Sequence, residues 1–114
     1  WHEGPPAPHD RREALFGGRA GVEVWDLLAG RPAEPFAAVL ACQLDPRGSV
    51  GPHVQQQHPG IVVCVAGEGR AEVDGASTAL APGVVVFLPH GSTLALENGS
   101  DAPLRYLIIK AKTH

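Results

Sequence analysis

Four side chains with metal-donor or hydrogen-bonding capacity crowd one short stretch of the chain: His53, Gln55, Gln57 and His58. Imidazole nitrogen and amide oxygen are ligands that borderline divalent metals such as zinc, nickel, manganese or iron accept. Two imidazoles with one or two amide oxygens would hold such an ion with open positions. For His58 to join the set, the backbone ahead of Pro59-Gly60 must bulge and re-aim it. The plainer reading makes this stretch a polar loop edge with Pro59-Gly60 as a turn. Other chemistry is thin. No Gly-x-Ser-x-Gly elbow occurs, and neither a phosphate-loop nor a dinucleotide glycine pattern precedes a helix, which removes several enzyme classes. Cys42 and Cys64 fall inside apolar runs, so they read as buried core thiols in a reducing, cytoplasmic compartment, with a single disulfide as the alternative.

The elements that must hold these residues are strands. Val22 to Leu28, Phe36 to Leu44, Ile61 to Ala66, Arg70 to Val73, Ser77 to Leu80, Val84 to Leu88, Thr93 to Glu97 and Leu104 to Ala111 are short, rich in branched or aromatic residues, and bounded by Gly, Pro, Asp or Asn. Turn chemistry at such close intervals leaves no room for crossover helices, so the sheets must be largely antiparallel and form a sandwich or barrel. Ile61 to Val65 and Val84 to Leu88 are apolar at every position, which predicts burial on both faces, one of them against a second sheet or a second copy of the chain. Trp25 and Phe87 read as core, and Glu97 with Arg105 as a cross-strand pair. Residues 1–20 read as an arm: Gly4-Pro5-Pro6-Ala7-Pro8 is extended, and the capping-box pattern Asp10…Glu13 predicts one short helix closed by Gly17-Gly18.

Size and charge narrow the functional classes. A chain of 114 residues is one domain with one core, here 21–114 after the arm. The net charge of -3 and scattered basic residues argue against a nucleic-acid partner. No apolar run is long enough to span a bilayer as a helix. The sequence starts at Trp1 and contains no Met, so it is read as lacking its initiator.

The stretch Gly48 to Gly69, with Gly48-Ser-Val-Gly-Pro-His53-Val-Gln55 leading into a strand and closing on Gly67-Glu68-Gly69, resembles the first motif of the cupin family. Gly83 to Asn98 resembles the second motif, with Pro89-His90-Gly91 at its normal place but Leu94 where the histidine belongs. The resemblance runs from about residue 36 to 111. It implies an all-β jelly-roll, a double-stranded β-helix barrel, and a metal site with four ligands. Carried over by position, those ligands fall on His53, Gln55, Gly60 and Leu94, so one imidazole matches, one amide substitutes, and two positions hold no donor. Parity along the first motif then gives Val62, Cys64 and Ala66 as an apolar pocket floor, joined by Phe87, His90 and Leu94. His90 stands on the rim, where it can touch an entering ligand. His2, His9 and His114 receive no role, and Asn98-Gly99-Ser100 is the family's Asn turn or, in a secreted chain, a glycosylation acceptor. The expected function is small-molecule binding with a degenerate or absent metal site, in a sensing or accessory role. The alternatives are a metal-dependent oxygenase or isomerase using His53 and His58, and a structural dimerisation module. A homodimer is expected in each case. If the site is merely degenerate, Leu94→His with Gly60→Glu is expected to bring it, with His53, to three of the four ligands.

Overall fold

A computed structural model describes residues 7–112. Among these, ten strands are arranged in two antiparallel sheets. In chain order they are β1 (His9–Glu13), β2 (Gly21–Asp26), β3 (Phe36–Leu44), β4 (Ser49–Val54), β5 (Gly60–Ala66), β6 (Gly69–Val73), β7 (Ala76–Leu80), β8 (Val85–Leu88), β9 (Thr93–Glu97) and β10 (Leu104–Ala111). One sheet has the order β1-β2-β3-β10-β5-β8 and the other β4-β9-β6-β7. This is the double-sheet jelly-roll that the two motifs implied.

Strand pairing fixes which residues share the interior. Tyr106 lies opposite both Cys42 and Cys64, Ile108 opposite Leu40 and Val62, and Lys110 opposite Ala38 and Gly60. Directly paired residues share a face, so these rows all project the same way. Away from Lys110 the rows end on Leu44 and Leu104, while Leu88, opposite Gly60, and Leu94, opposite His53, fill the interior toward the other end; each is fully buried. Burying one such leucine contributes on the order of 1.5–3 kcal/mol. Cys42 and Cys64 are both buried and free. The intervening β10 holds them two strand spacings apart, roughly 9–10 Å, beyond the reach of a disulfide.

Three sequence expectations need correction. The segment read as one short helix is divided: a 3₁₀ helix stands at Leu15–Gly17, but Asp10 to Glu13 belong to β1, paired residue for residue with β2 from His9↔Trp25 to Glu13↔Gly21. One capping box over so few residues cannot offset the cost of nucleating a helix, whereas the open edge of β2 satisfies the same backbone groups. Side chains reinforce the choice. Arg11 bridges Glu23 (2.8 Å) and Asp45 (2.6 Å), and His9 stacks on Trp25 and pairs with Glu23. The Pro-rich stretch before it lies largely outside the described residues, as do His2 and His114.

The second correction concerns β8, which is not buried on both faces: Val86 and Leu88 point inward, while Val85 and Phe87 are 56% and 65% exposed. The second sheet packs against the inner face of β8 alone, and among the described residues its outer face stays open. Third, Glu97 and Arg105 lie in different sheets. The Arg105 guanidinium donates to Gln43 Oε1 instead, at 2.8 Å.

Candidate functional site at the barrel mouth

β4 was not legible as a strand because Gly51-Pro52 breaks its pattern, yet it carries the first candidate ligand. Pro52 has no N–H to give a ladder, and it is tolerated because β4 is an edge strand with a register shift between Val50 and His53. That shift sets His53 directly opposite Leu94, hence on the interior face. Glycine at 51 allows a close approach: a Cβ there would sit 1.8 Å from the Phe16 carbonyl oxygen. The 3₁₀ turn therefore presses against β4 and lays the Phe16 ring parallel to His53, with centroids 4.2 Å apart and an interplanar angle of 12°.

The ladder continues past β4. Gln55 N–H donates to the Ser92 carbonyl and the Gln55 carbonyl accepts from Gly91 N–H, both at 2.8 Å. With its backbone clamped on the β8–β9 turn, Gln55 buries its side chain to 2% exposure. Neither its amide nitrogen nor its amide oxygen has a hydrogen-bond partner among the described residues. Each such group costs on the order of 1–3 kcal/mol while it stays unpaired. Nδ1 of half-buried His58 is likewise buried without a partner. His90 is exposed, and its Nε2 donates to the Gln56 carbonyl at 2.7 Å. A carbonyl can only accept, so the proton sits on Nε2. His90 thus braces the 55–58 segment from the rim.

One cleft of about 430 Å³ is lined by Phe16, Ala38, His53, Gln55, His58 and Lys110 among others. His53, Gln55 and His58 all line this cleft. Pro59-Gly60 is not a free turn, however. Gly60 begins β5, and the Pro59 carbonyl accepts from Ala111 N–H at 3.0 Å. Of the expected pocket residues, Val62, Cys64 and Leu94 are fully buried in the packed core, Ala66 is half-buried, and Phe87 faces outward. The cavity lies above that core.

Lys110 is a cleft residue that sequence reading missed. It ends the inward row Tyr106, Ile108, Lys110 and lies opposite Gly60, the position where the family motif places its carboxylate. The signal was available in the period-2 pattern of β10, a cation at an inward position. Among the described residues Lys110 forms no ion pair, and no Asp or Glu lines the cleft. Burial pushes the His53 imidazole below its ordinary range. The Gly51 carbonyl opposes that shift, and the Lys110 charge adds to it.

A divalent metal of the cupin kind does not fit this donor set. Leu94 can donate no electron pair, Gly60 brings no carboxylate, and an ammonium group occupies the neighbourhood. Among the described residues no cluster of three or more His, Cys, Asp or Glu could hold an ion. Nor can the carboxylate be restored simply, because a Cβ at Gly60 would fall 2.4 Å from the Ile109 carbonyl oxygen. The expected rescue by Leu94→His with Gly60→Glu is corrected on that ground.

Asn98 is fully buried, and its Nδ2 donates to the carbonyls of Ala102 (2.8 Å), Asp45 (3.0 Å) and Leu44 (3.3 Å). It is the turn residue of the second motif. A nitrogen so enclosed is closed to glycosylation.

Comparison with known proteins agrees with this architecture. The cupin-domain family model matches residues 41–110. Among solved structures, a predicted oxalate decarboxylase from Thermotoga maritima superposes with a TM-score of 0.83 at 22% identity, covering 95% of each chain. A Cupin 2 conserved barrel domain protein from Salinispora arenicola gives 0.71 at 23% identity, covering 91% of this chain and 82% of that one. A cupin-2 domain from Rhodospirillum rubrum gives 0.74 at 22% identity, with coverage of 93% and 72%. Among curated proteins none matches. Since the family model spans more than half of the chain and both motifs fall within it, the protein belongs to the cupin family.

Proposed function

We propose that this cupin binds a small molecule at its barrel mouth and does so without a resident metal ion. The observation that carries this reading is Gln55: a buried side chain, anchored by its backbone on both sides, with both amide atoms unpaired and lining a cleft of ligand size. Buried polar groups are normally satisfied, and a site that keeps one unpaired gains when a ligand supplies the partner. A sensing or accessory role in the cytoplasm fits a single small domain with one such site. The likeness to a predicted oxalate decarboxylase supports the barrel and not its chemistry, since identity is 22%.

The rival is a metal-dependent enzyme with His53 and His58 as ligands, favoured by the unpartnered Nδ1 of His58. Native mass spectrometry and elemental analysis of untagged protein separate the two. Retention of an organic ligand with substoichiometric metal supports binding. Stoichiometric metal that is lost in both His53→Ala and His58→Ala overturns it in favour of the enzyme. A third role, dimerisation through the exposed β8 face, rests on Val85 and Phe87 and is compatible with the first.

A further inference from the structure

The chemistry of the mouth also selects a ligand class, on the premise that the cleft binds a small molecule. From the placement of Lys110 and Gln55, we infer that the ligand is a small organic acid bearing a hydroxyl group close to its carboxylate. Three observations combine. Lys110 brings a cation to the cleft with no carboxylate among the lining residues and no ion pair among the described ones. A half-buried ammonium without a counter-ion favours an anionic guest. Gln55 offers a donor and an acceptor side by side, both buried and both unpaired.

An anion that only accepts, such as sulfate or a bare carboxylate, satisfies the Gln55 donor, its Nε2, and leaves Oε1 orphaned. A neutral polyol satisfies both amide atoms but leaves Lys110 without a counter-charge. Only a guest with an acceptor and a donor together meets all three groups: carboxylate oxygen to Lys110 Nζ and Gln55 Nε2, hydroxyl to Gln55 Oε1. A further hydroxyl would reach the free Nδ1 of His58. The parallel Phe16 and His53 rings wall one side with flat apolar surface, suited to the carbon skeleton of a sugar acid or hydroxy acid.

The test uses metal-free wild-type protein and calorimetric titration with gluconate and malate, set against glucose, succinate and inorganic sulfate. Gluconate or malate should bind saturably, at least about tenfold tighter than glucose and succinate, the scale of one charge-assisted hydrogen bond. Lys110→Gln, nearly isosteric, should weaken the hydroxy acids by about tenfold or more and leave glucose unchanged. Gln55→Leu should erase the preference for malate over succinate. Glucose binding as tightly as gluconate, or hydroxy-acid affinity unchanged in Lys110→Gln, overturns the ligand class while leaving small-molecule binding intact. Absence of saturable binding by every acid overturns it as well, and if the protein as purified also carries stoichiometric metal, the binding reading falls with it. The wild-type comparison stands alone should either variant fail to fold.

Discussion

Replacing Leu94 by histidine tests whether the metal site is missing one donor or is unsuited to metal altogether. Leu94 has no exposed surface and lies directly opposite His53, so the new imidazole would project about 5 Å from that of His53 at the Cβ level. Loss of the leucine's burial costs about 2–3 kcal/mol, and an unpaired buried imidazole about 1–3 kcal/mol more. The apo variant should therefore be destabilised by about 4 kcal/mol, a large share of the ~5–15 kcal/mol typical of a whole domain. Zinc at about a hundred times its Kd should return about 2.7 kcal/mol. Urea denaturation with zinc and with chelator measures both quantities. Wild type should show no zinc response, and His53→Ala in the Leu94→His background should abolish the gain. A wild-type zinc response equal to the variant's would refute the reasoning. So would a variant response indifferent to His53. Adding Gly60→Glu should prevent folding, because of the clash with the Ile109 carbonyl.

Asn98→Ala should cost on the order of 3 kcal/mol, since it orphans the buried carbonyls that Nδ2 now serves; an unchanged denaturation midpoint would contradict this. His53 is held below its ordinary pKa of 6.5, chiefly by burial. The unfolded chain then binds the proton more readily, so His53 reduces stability as pH falls below 6.5 toward its folded value. His53→Gln should flatten that part of the stability profile, and an identical profile would count against a buried neutral imidazole. Sedimentation should show a homodimer that Phe87→Lys converts to monomer, because Phe87 and Val85 leave an apolar edge on β8; a monomeric wild type at high concentration excludes it. Amide exchange across residues 9–13 should accelerate in Arg11→Gln, which breaks the bridge to Glu23 and Asp45.

The sequence by itself determined the class of fold and most of the strands, because a period-2 apolar pattern between turn residues is a local property that survives without neighbours. It also determined what the site lacks: Leu94 and Gly60 can donate nothing wherever the chain puts them. β1 and β4 escaped it for opposite reasons. The capping pattern at Asp10…Glu13 is a local preference too weak to resist the open edge of β2, and Gly51-Pro52 hides a strand that only an edge position and a register shift make possible. Tertiary structure alone decided that Phe87 faces outward, since side chains alternate between the faces of a strand and the second sheet covers only the face of Val86 and Leu88. It alone decided the character of the site as well. Lys110 lies more than fifty residues along the chain from Gln55, and only the pairing of β10 with β5 brings a cation to the place where the family motif has a carboxylate. Gln55 is unpaired for the same kind of reason: its backbone is fixed by Ser92 and Gly91 on a distant turn, and the amide must go where that anchor points it.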